Sequence, residues 1–239
     1  RGWQLNLPES RKSSLKDFNI AIWSNDEMAP VSKDISQRCE EVGKNLASVG
    51  ANVSYTAKPD HDFLKGEINY QLLLQSVMQS GMSDDEFKKI EEIASNLDKN
   101  DLSAEAILAK GTVLSHRNWI RQNYAREQIK ISWSKFFQDW DILICPQLAT
   151  TAIKHDHGKI SERTIMIDNQ EQRFFQQIFW PGLAVNAHLP STVFPTGLAS
   201  DGMPIGLQAI GGAYEDKTTI KFAELYEQEF KAFVVPNLD

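Results

Sequence analysis

Residues 18–57 read FNIAIWSNDEMAPVSKDISQRCEEVGKNLASVGANVSYTA, and the order of patterns within them decides the fold class. FNIAIW is a short apolar run of β-prone residues, followed by the turn-rich SNDEMAP. Val31, Ile35, Cys39, Val42, Leu46 and Val49 then recur at spacings of four, four, three, four and three, which lays them on one face of a helix. Gly50 stands where that helix should stop, because a residue without Cβ takes the left-handed C-cap conformation at little cost. NVSYTA reads as a second strand. Strand, helix and strand in this order predict a parallel pair with a helical crossover, and so an α/β chain.

Outward from this unit (18–60), the polar residues 1–17 read as a linker leading into the fold. Residues 61–140 are helical almost throughout. Ser83–Glu86 (SDDE) is a capping box, in which the Ser83 hydroxyl takes the Glu86 amide and Glu86 reaches back, so a helix to about Leu97 follows. Ser115 caps a long helix carrying Trp119, Tyr124, Ile129, Trp133, Phe136, Phe137 and Trp140, which helix packing explains better than ligand stacking. In residues 141–239, DILIC (141–145) is a continuous apolar run closed by Pro146, as expected of a strand buried on both faces. A weakly hydrophobic loop follows, then a helix in FFQQIFWPGLAVNAHL interrupted at Pro181-Gly182. The strands STVF and IGLQAI come next, and a final helix is capped by Asp216. The sum is an α/β fold with a mixed sheet flanked by helices.

The chain has 239 residues, 41% hydrophobic and 24% charged, enough for a substantial core. A formal charge of −7 argues against a nucleic-acid-binding face, since every neutralised phosphate needs a Lys or Arg. Small-molecule or protein partners fit better. Cys39 and Cys145 are far apart and lack metal-ligand spacing, which points to the cytoplasm rather than to a disulfide framework. No apolar run approaches a membrane span, so no membrane partner is expected. The first residue is Arg, not Met, which predicts that the chain continues upstream.

Phe194–Asp216 (FPTGLASDGMPIGLQAIGGAYED) is rich in glycine, yet no G-x-G-x-x-G occurs in it. GLQAIGG has the glycine spacing of a phosphate loop with Gly212 where the phosphate-reaching Lys must stand. Asp201-Gly202 between two β-prone runs is a hairpin-type turn. His155-Asp156-His157 has no third metal ligand at a recognisable spacing, so a solvated loop is the better reading and no metal is expected. Cys145 at a strand end could be a thiol nucleophile, but without a dictated His partner it reads as a buried structural thiol. His188, among apolar residues, reads as a packed histidine. There is no G-x-S-x-G and no H-E-x-x-H. The residues describe a scaffold with no cofactor and no catalytic set of its own.

Pro195, Gly197, Asp201, Gly202, Met203, Pro204, Ile205, Gly206, Leu207, Gln208, Ile210 and Gly211 resemble the C-terminal signature of the amidase signature enzymes. In that family a strand ending in Pro-x-Gly is followed by a turn and then by D-G-L-P-V-G-L-Q. Trp133–Pro146, HLPSTVFPTG and YEDKTTIKFAELYEQ are similar to family segments in the same order, and the opening 26 residues look like the passage that enters the second half of such enzymes. The resemblance implies an amide hydrolase with a Ser nucleophile, a second Ser at a cis peptide bond and a Lys base, all upstream of the part matched here. Lys12-Ser13-Ser14 lacks the flanking glycines of an oxyanion hole and takes no catalytic role. Gln147 stands where the family often has Thr, and His188 where Gly is frequent. With Trp180 they are the expected substrate-binding residues. The implied partners are a small-molecule amide, the missing N-terminal half and a second copy in a homo-oligomer. A non-catalytic interaction domain of the same fold is the alternative.

Overall fold

The computed structural model describes residues 2–158 and 162–235. In chain order its elements begin with β1 (Asn19–Ile22), α1 (Lys33–Ser48), β2 (Asn52–Ser54), α2 (Phe63–Met78), α3 (Asp84–Asn96), α4 (Ala104–Thr112) and α5 (His116–Asp139). They continue with β3 (Ile142–Pro146), β4 (Thr164–Ile167), β5 (Gln170–Arg173), α6 (Phe179–Ala187), β6 (Ser191–Leu198), β7 (Pro204–Ile210) and α7 (Asp216–Phe230). The chain divides into two compact units: residues up to Pro59 together with those from Trp133 onward, and Asp60–Ser132.

The first unit is built on a five-stranded sheet in the order β2-β1-β3-β7-β6. β1 runs parallel to β2 and to β3, and β7 antiparallel to β3 and to β6, so the sheet is mixed and helix-flanked as the sequence predicts. All five residues of β3 are buried, which is what a continuous apolar run requires of a central strand. Ser32 caps α1 by accepting from the Ile35 amide at 3.4 Å, and the helix lays Ile35, Cys39, Val42 and Leu46 into the core. At about 1.5–3 kcal/mol for each large aliphatic side chain, that stripe fixes which face of α1 meets the sheet. Gly50, at φ 93°, ends the crossover as its lack of Cβ allows. On the α7 side Phe222 meets Phe18 and Phe194 edge-on, with ring centroids at 5.5 and 5.4 Å.

The β6–β7 hairpin is gripped by α1. Arg38 donates to the Leu198 carbonyl at 2.8 Å, and Asp34 accepts from the Ser200 amide at 3.1 Å and hydroxyl at 2.7 Å. Those bonds from Ser200 hold the Asp34 carboxyl below the usual carboxylate range. A bulge lies between Pro195 and Gly197, and Gly197 has φ 117°. A Cβ there would stand 3.3 Å from the Arg38 guanidinium.

Three local expectations change. The helix at Pro181-Gly182 is not interrupted, because Pro181 falls in the first turn of α6, where its missing N–H costs no helical bond. Glu215, not Asp216, occupies the N-cap of α7, and no side-chain bond is made to the helix amides there. The loop after Pro146 contains an added hairpin, β4–β5, with Ile165 and Ile167 buried on one face and Asp168 at φ 52° in its turn.

In the second unit α2, α4 and the first part of α5 pack through small and polar residues. Asn69 donates to the Gln122 backbone carbonyl (2.8 Å) and side-chain oxygen (2.9 Å). Gly111 lets α4 approach α2 so closely that a Cβ would lie 2.7 Å from that of Gln75. The Ser83–Glu86 capping box is present, yet α3 buries none of its residues.

Candidate functional site

β1 and β3 run parallel, with Ile22 at the end of β1 opposite Ile144 and β3 continuing to Pro146. Open α/β sheets place ligands outside the carboxyl ends of such strands. The β1 exit is folded back on itself: Asn25 Oδ1 accepts from the Val31 amide (3.1 Å) and Asp26 Oδ1 from the Met28 amide (3.0 Å). It is joined to the β3 exit by the Ser32 amide, which donates to the Ala149 carbonyl at 2.7 Å. Trp180 donates its indole N–H to the Ala29 carbonyl (3.0 Å), and Gln176 donates to the Met28 carbonyl (2.8 Å). Asp168 in the β4–β5 turn accepts from the Lys33 amide at the start of α1 (3.2 Å), favourable for a carboxylate at a helix N-terminus. A cavity of about 300 Å³ lies there, lined by Pro30, Val31, Ile167, Asp168, Gln170 and Gln172 among others.

Beneath this edge sits a buried carboxamide. Gln208 Nε2 donates to the Trp180 carbonyl (2.8 Å), the Pro146 carbonyl (3.0 Å) and the Cys145 sulfur (3.2 Å), its two hydrogens shared among three acceptors. Gln208 Oε1 accepts from the Ser191 hydroxyl at 3.0 Å. One side chain on β7 therefore ties together the exit of β3, the first turn of α6 and the start of β6. In the sequence Gln208 stands out only as one letter of the family signature. The signal that could reveal its role is a lone polar side chain inside IGLQAI, which a buried strand tolerates only with partners.

Of the predicted site residues, Gln147 follows Pro146 directly and is half-buried, within one residue of the Gln208 clamp. Trp180 is 0% exposed, its ring against Trp23 at 5.4 Å, so it bears on the edge through the loop it holds. The expectation of a packed His188 is overturned: it is exposed, as the left-handed C-cap of α6 at φ 54°. Cys145 is fully buried, its thiol pushed well above the ordinary value by desolvation, as a structural cysteine should be. Lys12 lies at the opposite end of the sheet, donating to the Asp17 carbonyl (2.8 Å) and ion-paired with Asp141 (3.3 Å). His155 and His157 are exposed, with rings 6.3 Å apart, and no group of metal-binding side chains joins them among the described residues.

A sequence model of the family described as Amidase matches residues 4–220. The chain belongs to the amidase signature family. The likeness carried by Pro195–Gly211 thus extends over most of the chain. Among curated proteins it is similar to a glutamyl-tRNA(Gln) amidotransferase subunit from Thermosynechococcus vestitus, 32% identical over 111 residues, or 46% of this chain and 21% of that protein. The Listeria monocytogenes counterpart is 35% identical over 106 residues, 44% of this chain and 20% of its own length. Among solved structures, a bacterial aryl acylamidase superposes with a TM-score of 0.63 at 16% identity, covering 89% of this chain and 44% of that one. The glutamyl-tRNA(Gln) amidotransferase subunit from Thermotoga maritima gives 0.63 at 16% identity, covering 95% and 46%. The chain spans less than half the length of these relatives, and the structural likeness concerns the fold. No described helix is long and apolar enough to cross a membrane.

Proposed function

We propose that this chain forms the C-terminal part of an amide hydrolase whose Ser nucleophile, bridging Ser and Lys base are supplied by a segment upstream of residue 1. The observation that carries this reading is the composition of the β1/β3 edge. It gathers carboxamides and apolar walls beside the carboxylates of Asp26 and Asp168, which accept hydrogen bonds from backbone amides, and among the described residues no nucleophilic side chain there is bonded to a base. Cys145 is sealed beneath it, and Lys12 is held by Asp141 at the far end of the sheet. In the second unit His61 Nδ1 lies 3.3 Å from the Ser132 hydroxyl, but Ser132 is inside α5. Helix-interior amides are consumed by the helix, leaving no donors to hold an oxyanion beside that serine.

In this division of labour the upstream segment provides proton transfer and oxyanion stabilisation, and this chain provides the substrate wall. Gln147, whose carboxamide both donates and accepts, would meet the amide group of a small-molecule substrate, while Trp180 holds the loop that shapes the edge around it. The βαβ unit (18–60), the helical excursion (61–140) and the strands and terminal helix (141–239) belong to one functional part, entered through the linker (1–17). The test is to assay the chain alone, and co-expressed with the polypeptide encoded upstream of Arg1, for ammonia or amine release from primary and aryl amides. Turnover is expected only from the pair. Turnover by the chain alone, lost on changing one of its own residues, overturns the proposal.

A further inference from the structure

The segment 25–32, which leaves β1 at the β1/β3 edge, is fastened from three directions. Within it the amides of Met28, Ala29 and Val31 donate to Asp26 Oδ1 (3.0 Å), the Asp26 carbonyl (3.2 Å) and Asn25 Oδ1 (3.1 Å). On the α6 side Gln176 and Trp180 hold two successive carbonyls, those of Met28 and Ala29. Toward β3 the Ser32 amide holds the Ala149 carbonyl, two residues beyond Gln147. From the third direction, the chain leaving β2 reaches the segment through Lys58. Its Nζ stands 3.6 Å from Asp26 Oδ2 and 4.0 Å from the centroid of the Trp23 ring.

An ion pair at a surface contributes little by itself, because water screens both charges. The placement of this one gives it more to do. The Asp26 side chain is 17% exposed and its other oxygen already closes the turn at Met28, so the ammonium neutralises a carboxylate that is built into the segment. Trp23 is 2% exposed and packs edge-on against Trp180 at 5.4 Å, the ring that holds the Ala29 carbonyl. A cation over an indole is attracted by the ring quadrupole, more strongly where water is partly excluded. Two routes thus run from one ammonium to residues 26–29: through Asp26 to the Met28 amide, and through Trp23 and Trp180 to the Ala29 carbonyl.

We propose that Lys58 is a positioning residue of the substrate wall: held between the Asp26 carboxylate and the Trp23 ring, it fixes segment 25–32 and, through the Ser32–Ala149 bond, the strand exit that carries Gln147. This rests on the reading of the β1/β3 edge as the wall against an amide substrate. Lys58 touches no reacting atom in this role. An apolar side chain of similar length cannot replace it, since it leaves the Asp26 carboxylate without its counter-charge and the indole without its cation. Arg keeps the charge, stacks on aromatic rings and pairs with carboxylates. Because proton transfer and oxyanion stabilisation fall to the upstream segment, a loosened wall should show in KM more than in kcat.

Two measurements test this. In the chain alone, Lys58→Met should keep the native circular dichroism and speed amide exchange at Met28, Ala29 and Val31 by about tenfold, with β3 amides unchanged. In the complex with the co-expressed upstream polypeptide, the same variant should raise KM for a small primary amide by about three- to tenfold with kcat within about twofold, and Lys58→Arg should restore most of the loss. Asp26→Asn keeps an acceptor for the Met28 amide but loses the charge; added to Lys58→Met, it should raise KM by no more than about a further twofold, as expected of two halves of one contact. Native exchange at Met28 and Val31 in Lys58→Met overturns the proposal. So does a native KM in an active complex, a Lys58→Arg chain as impaired as Lys58→Met, or a loss of structure that spreads to β3, since a positioning role is local. A native complex without turnover, beside faster exchange in the variant, sinks the function and keeps the fastening.

Discussion

The two units solve the problem of burial differently. In the sheet unit large rings fill the interior: Trp23, Trp133, Trp180, Phe18, Phe194 and Phe222 are essentially inaccessible. In the helical unit the buried positions include Gly66, Asn69, Leu73, Gln75, Ala106 and Ala109, and Val77, Met78, Ile93 and Leu102 are more than half exposed. Apolar area removed from water is the main driving term for folding, so stability should concentrate in the sheet unit. Signature residues near Gln208 therefore rest on a stiff base, while α3 meets the rest of its unit without burying any residue fully.

The widest gap between the units should come from apolar truncation. Phe222→Ala removes a fully buried ring that touches Phe18 and Phe194, and should cost about 3–5 kcal/mol in urea denaturation. Ile93→Ala in α3, at 52% exposure, should cost no more than about 0.5 kcal/mol. Equal losses would break the comparison.

A smaller effect is expected at the polar hub of the sheet unit. Gln208→Leu keeps the volume but leaves the Pro146 and Trp180 carbonyls without their donor, at about 1–3 kcal/mol per buried unsatisfied group. Gln208→Glu places a carboxylate against the same carbonyls at neutral pH, and protonation restores a donor. Its deficit relative to the native chain should therefore shrink on acidification. A neutral, pH-independent result for both variants would show that the hub does not hold the β3 exit.

Much of the sheet unit is legible in the sequence because its signals are local and strong: the helical stripe from Ile35 to Leu46, the uninterrupted DILIC and the Asp201-Gly202 turn. Each expresses a single physical demand, so pattern and structure agree. The β4–β5 hairpin escapes such a reading because TIMI is short and one-sided, and its Asp-Asn turn uses a non-glycine residue at positive φ. The site is legible only in part. Gln147 lies one residue from a bond that can be seen, but the Gln208 clamp joins residues up to 63 positions apart, and single-sequence periodicity carries no long-range pairing. His188 misleads because apolar neighbours suggest burial, whereas its place at a helix end puts it outside.

The smallest expected effect belongs to the helical unit and depends on pH. His61 is partly buried against Phe63 and bonded to Ser132, and burial lowers its pKa below the ordinary imidazole value. The unfolded chain therefore takes up the proton first. The contribution of neutral His61 is intact above the ordinary imidazole pKa and is lost as pH falls toward the lower folded value. Glu67 in the same unit works the other way. Its burial raises the carboxyl pKa, so the protonated form favours folding, and that contribution is lost as pH rises through the raised value. Asp60 and Asp62 beside His61 oppose its shift without reversing it. The variant His61→Gln removes the first term and keeps the second. From pH 7 to 5 the opening free energy of α2, read from amide exchange corrected for its intrinsic pH dependence, should thus fall less in the variant than in the native chain, while that of β3 responds alike in both. The same fall in α2 of both chains would show that the acid sensitivity of the helical unit does not come from His61.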